Sequence, residues 1–125
     1  MMDTDIKHII KKILFLPFEF AKGDNNQSIY SLLQNTGYFN AYSKIAESII
    51  LQELTNHSNC IEHWLSWSSN KRSTDGWYFI KKDNGKYVVG NINSDGQRSE
   101  CFEFDSAAKA CSVFIKREIE SIRTS

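Results

Sequence analysis

Proline occurs once, glycine six times and cysteine three times in a chain of 125 residues. With so few breakers there is no Pro/Gly-rich linker, and no repeat or low-complexity tract divides the chain. Cys60, Cys101 and Cys111 are odd in number and widely spaced, a poor disulfide framework, and they read as reduced thiols of a cytosolic protein. An excess of charge is also missing: fifteen basic residues face fifteen acidic ones. Residues 1–58 carry five lysines and six acids, and residues 59–125 ten basic and nine acidic groups, so neither half is polarised. Binding to a phosphate backbone through bulk charge is therefore not expected. Long hydrophobic runs are absent too. Near the N-terminus the longest uncharged apolar run is Ile13–Phe18, far too short to span a bilayer. Lys11 and Lys12 interrupt the apolar pattern, acids lie on both sides, and no small-residue cleavage site follows. A core helix is expected there rather than a signal peptide or a membrane anchor.

What is present suits one ordinary globular domain covering residues 1–125, without metal or disulfide staples. Hydrophobic residues make up 41% and aromatics 13%, enough for a sizeable core. Asp3 and Thr4 suit a helix N-cap; Ile6, Ile9, Ile10 and Ile13 follow at helical spacing, and Pro17 marks an exit. KGDNNQ (22–27) reads as a loop. Ser28 can cap a short helix through Ile29, Leu32 and Leu33, with Gly37 placed to end it. A third helix is expected over Ala41–Leu54, and a fourth over Ser58–Ser68 with its stripe at Ile61, Trp64 and Leu65.

After residue 70 the period changes from helix to strand. WYFIKK (77–82) and KYVVGNI (86–92) flank Asn84-Gly85, a pair suited to a two-residue type I′ turn. That turn would pair Lys81 with Val88, Phe79 with Gly90 and Trp77 with Ile92. Trp77, Phe79, Val88 and Ile92 would then share one face, with Tyr78, Ile80, Tyr87 and Val89 on the other. A second turn at Ser94-Asp95-Gly96 leads to a strand over Glu100–Phe104, with Phe102 and Phe104 pointing one way and Cys101 and Glu103 the other. Asp105 or Ser106 caps a last helix over 106–122, striped by Ala108, Cys111, Ile115, Ile119 and Ile122. The expected fold is α+β: N-terminal helices, a three-stranded antiparallel β-meander, and a C-terminal helix packed on the sheet. A sheet face left partly exposed would be a candidate interface.

No enzyme signature is found: there is no Gly-rich phosphate loop, G-x-S-x-G or H-E-x-x-H. His57, Cys60 and His63 form H-x2-C-x2-H, but on a helix these positions spread around the circumference. No second tight Cys/His pair completes a zinc set, so no metal, no cofactor and no catalytic residue is assigned. A Cys60–His63 nucleophile would lack a third, orienting group. Trp64 and Trp77 read as core. Trp67 sits off the apolar stripe beside Ser68, Ser69 and Asn70, and is the tryptophan expected at the surface, where a rigid ring with a polar rim suits a binding hot spot.

The stretches WLSWSSNKRSTDGWYF, KYVVG and ECFEFDSAAKACSVFIKREIESI together resemble bacterial immunity proteins of contact-dependent growth inhibition and related polymorphic toxin systems. The resemblance covers roughly residues 42–122. These proteins share no catalytic motif, so no functional residue transfers by motif. The resemblance implies a cytoplasmic inhibitor, not an enzyme. Its partner would be the C-terminal toxin domain of a delivered effector, often a nuclease, whose active or substrate site it would occlude. Many such inhibitors are acidic; this neutral chain departs from that. On this reading Trp67 and Tyr87 are candidate anchors. Asp95, Glu100, Glu103 and Asp105, opposed only by Arg98, are candidate partner-binding acids, with Glu100, Glu103 and Asp105 as steering groups. No direct nucleic-acid contact is expected. The alternative is a nucleic-acid-associated or regulatory adaptor that uses the basic end formed by Lys71, Arg72, Lys81, Lys82 and Lys86 near aromatic rings.

Overall fold

The computed structural model of the chain describes residues 2–22, 28–70, 76–93 and 95–124. Among them the order is α1 (Met2–Leu14), α2 (Leu16–Lys22), α3 (Ile29–Asn35), α4 (Tyr38–Ala41), a 3-10 turn (Tyr42–Lys44), α5 (Glu47–Leu54), α6 (Cys60–Asn70), β1 (Gly76–Lys81), β2 (Tyr87–Ile92), β3 (Arg98–Phe104) and α7 (Ala107–Arg123). The fold is mixed α and β, with helices, then an antiparallel sheet in the order β1-β2-β3, then a closing helix.

The apolar stripes explain how the helices pack. Ile10, Ile13 and Leu14 of α1 are buried, and α7 buries Ala110, Cys111, Phe114, Ile115 and Ile119. Trp64 of α6 lies between them, its ring 6.1 Å from Phe114 and its indole N–H donating to the Leu14 carbonyl at 3.1 Å. Ser28 caps α3 by accepting from the Ser31 amide, and Ser106 caps α7 by accepting from Lys109.

Three helix boundaries differ from expectation. Asp3 and Thr4 lie inside α1 rather than capping it. Pro17 does follow the end of α1 at Leu14, but a second helix rather than a loop comes next. The proline falls in the first turn of α2, where an amide proton has no intrahelical acceptor, so the ring is tolerated. The helix expected over Ala41–Leu54 is broken: Ile45 and Ala46 are extended, and α5 starts only at Glu47. The Tyr42 carbonyl accepts from Lys116 Nζ of α7 at 3.1 Å, and the break lets Ile45 and Ile50 both enter the core. The segment KGDNNQ lies outside the described residues apart from Lys22.

The hairpin register also differs by one residue. Lys82 N donates to Lys86 O at 2.7 Å, and Gly85 N to Lys82 O at 3.0 Å, so the loop is Asp83-Asn84-Gly85. Gly85 has φ +85°, the left-handed residue that ends a three-residue loop. Phe79 therefore pairs with Val89, Trp77 with Asn91, and Tyr78 with Gly90. A one-residue slip turns a whole strand over. Tyr87 and Val89 join Trp77 and Phe79 on the inner face, and Val88 joins Tyr78 and Ile80 on the outer one. Phe79 stacks on Phe114 at 5.7 Å, which sets α7 against the inner face. Gly90 is required by the Tyr78 ring, which lies so close that an added Cβ would sit 2.8 Å from Cε2. No helix among the described residues is long and apolar enough to cross a membrane.

Candidate functional site

The two edges of the sheet are treated differently. Alternation from the Lys82–Lys86 pair turns the amides of Trp77, Phe79 and Lys81 away from β2. On that side Ser68 Oγ of α6 accepts from Phe79 N at 2.8 Å, so α6 covers the β1 edge. At the other edge Phe102 and Phe104 pair with Val89 and Tyr87, which turns the backbone N–H and C=O of Cys101 and Glu103 outward. No strand lies beyond β3 among the described residues. An open edge is a ready template for an added strand unless charge or a bulge blocks it.

Side chains on both faces flank this edge. On the outer face Tyr78 crosses Gly90 and places its hydroxyl 4.0 Å from Cys101 Sγ, while the Arg98 guanidinium lies 5.5 Å from the Tyr78 ring centroid. Burial raises the Tyr78 phenol above its ordinary pKa, and the Cys101 contact adds to the rise. Ile80 is 41% exposed on the same face. On the inner face Phe102 is 37% exposed beside Arg117 of α7.

The sequence-derived candidates divide between this edge and the core. Glu100 and Glu103 lie on β3, Asp105 at its end, and Asp95 is exposed in the turn before it. The side chain of Glu100 is outside the described set. Glu103 and Asp105 are not free steering charges. Lys82 Nζ lies 2.9 Å from Glu103 and Lys86 Nζ 3.2 Å from Asp105, so the acidic edge and the basic hairpin end are one surface of opposed pairs. Lys71 and Arg72 lie outside the described residues.

The two aromatic anchors sit elsewhere. Trp67 is half-buried and packs on the core, its Nε1–H donating to Glu118 Oε2 at 2.8 Å and its ring 5.3 Å from Phe20. The stripe of α6 runs through Cys60, Trp64 and Trp67 rather than centring on Ile61 and Leu65, and that 4,3 spacing was the signal for it. Tyr87 faces the core beside Phe79 because of the register change. Tyr78, Cys101 and Arg117 are the edge residues that sequence reasoning did not select.

Two other clusters bear on chemistry. His57 and His63 face the Phe15 and Phe18 rings while Cys60 is buried, so H-x2-C-x2-H diverges. Among the described residues no group of three or more His, Cys, Asp or Glu is placed to hold a metal ion. Among the described residues a dense polar network joins α4 to α7. The Tyr38 hydroxyl donates to Glu120, Lys116 Nζ donates to Tyr38 at 2.8 Å, and Arg123 grips both Glu120 oxygens at 2.9 Å. Burial, then the bond to Glu120, pushes the Tyr38 phenol far up; burial lowers Lys116; the Arg123 bond holds Glu120 below its ordinary value. Its members satisfy one another, as in a structural clamp. An open groove of about 420 Å³, lined by residues such as Lys11, Phe15, Glu19 and Leu32, contains none of the candidate residues.

No protein-family model, curated protein or solved structure matches the chain.

Proposed function

We propose that the chain is an immunity protein of a contact-dependent growth inhibition or related polymorphic toxin system. It works in the cytoplasm, without turnover, by binding a cognate toxin domain of nuclease type and occluding its active or substrate site. The open β3 edge supports this reading most directly. One side of the sheet is closed by α6, while the other presents backbone groups of Cys101 and Glu103, flanked by Tyr78 and Phe102. A strand or loop of the toxin adding to β3 would gain main-chain hydrogen bonds, and side chains on the two faces would supply specificity.

Neutralising a toxin at low concentration needs a Kd near the nanomolar range, about −12 kcal/mol. An interface of about 800 Å² per partner holds that when a few anchors are well packed. Asp95, Glu100, Glu103 and Asp105 remain in the proposed interface by their position on or next to β3. Trp67 and Tyr87 become supports behind it. The adaptor reading draws less from the geometry, because Lys82 and Lys86 are already opposed by carboxylates.

The test is co-expression with a toxin domain sought among the reading frames next to the gene. Wild-type chain is expected to restore growth. Unchanged killing, or a purified chain whose main affinity is for nucleic acid and collapses with salt, contradicts the proposal.

A further inference from the structure

We propose that Arg117 is a carboxylate-binding residue, its guanidinium set between Trp77 and Phe102 as a ready fork for an acidic side chain of a protein partner. The guanidinium carbon lies 5.3 Å from the Trp77 ring centroid and 5.8 Å from that of Phe102. Trp77 is on β1 and Phe102 on β3, both on the inner face, so the group lies between side chains of the two outer strands and meets the open-edge strand through Phe102. Two rings restrict a planar cation far more than water does, and a fork held in place loses little entropy on binding.

The fork is not filled from within. Nε is buried and makes no hydrogen bond. The nearest carboxylate, Glu47 Oε2, is 3.9 Å from Nε, beyond hydrogen-bond reach. The side chain is nevertheless 41% exposed, and with Nε covered that exposure belongs to the rest of it. Among the described residues none accepts a hydrogen bond from Arg117. A carboxylate matches the two terminal nitrogens with parallel bonds.

Glu47 on the Nε side lowers the local positive charge, which favours a singly charged carboxylate over a phosphate dianion and over the dense row of charges along a nucleic-acid backbone. The assignment rests on the proposed function for the partner's being a protein. It differs from it in chemistry: the partner brings an acid to this edge, not only a basic surface.

The test is a titration of the full chain, followed by the side-chain Nε–Hε NMR signals of its arginines at constant ionic strength. The probes are acetate, a short glutamate-rich peptide, inorganic phosphate and a single-stranded oligonucleotide. Acetate and the peptide are expected to shift the Arg117 signal saturably and the other arginines little. Phosphate should bind about tenfold more weakly, and Arg117→Lys, followed at the Trp77 indole N–H, should weaken the peptide about tenfold. Glu47→Gln should bring phosphate close to acetate, and it leaves the ring clamp intact should Arg117→Lys fold poorly. An Arg117 signal that tracks ionic strength alone, an oligonucleotide that outcompetes the peptide, or unchanged peptide binding by Arg117→Lys overturns the proposal. No toxin is involved, so failure here leaves the immunity reading standing, and failure of that reading leaves this site intact.

Discussion

Single side chains here do more holding than reacting. Glu120 joins Tyr38 to Arg123, and its carboxyl is kept low chiefly by the Arg123 hydrogen bonds. A depressed native pKa means stability that is present above the unfolded value of about 4.3 and is lost as pH falls through the native value. Glu120→Gln should therefore cost about 1 kcal/mol at neutral pH, the low end of the range because the site is partly exposed. In urea melts the gap to wild type should begin to narrow below about pH 4 and close once the pH is below the depressed native value, since the wild type loses the same interaction there. A gap that persists in acid would show that Glu120 acts by packing instead. Trp67 is a second case. Its indole bond to Glu118 and its contacts with Phe20 and Trp64 make it a core support. Trp67→Phe should lower stability by about 1–2 kcal/mol and leave affinity for the toxin domain unchanged, as read by thermal melts and calorimetry.

At the scale of elements, the turns decide what the strands present. Both hairpins use three-residue loops ending in glycine, Gly85 at φ +85° and Gly96 at φ +82°. Gly85→Ala and Gly96→Ala each should cost about 1–2 kcal/mol in chemical denaturation, with no Cβ clash, because no atom lies within reach of either site. Helix stripes were legible because Ile10 and Ile13, and Cys111, Ile115 and Ile119, repeat at helical period, and the meander was legible because Asn84-Gly85 and Asp95-Gly96 punctuate alternating runs. The register was not. Asn-Gly fits both a two-residue turn and the end of a three-residue one, and the choice flips Tyr87 and Val88 between faces. The break before α5 was equally hidden, since Lys116 reaches Tyr42 from a distant part of the chain. Local pattern carries no sign of such a contact.

For the whole molecule, equal numbers of acids and bases leave no net charge, and at the sheet's candidate edge the opposite charges are paired. The acids that the sequence places near β3 and the lysines it places at the hairpin end meet as Lys82–Glu103 and Lys86–Asp105. The position of the candidate edge was therefore legible, but its electrostatic character was not, because pairing across strands depends on register. What distinguishes this surface is its unpaired backbone. Proline at an outward-facing edge position removes no ladder bond and is tolerated there, yet it forbids strand addition. The decisive measurement is calorimetric affinity for the cognate toxin domain of three proteins: wild type, Glu103→Ala and Glu103→Pro. Loss of the exposed Lys82 pair alone should change little, so Glu103→Ala should bind within about fivefold of wild type. Glu103→Pro, folded by circular dichroism, should bind at least about a hundredfold more weakly. Equal affinity of the proline and alanine variants would contradict recognition through the open strand.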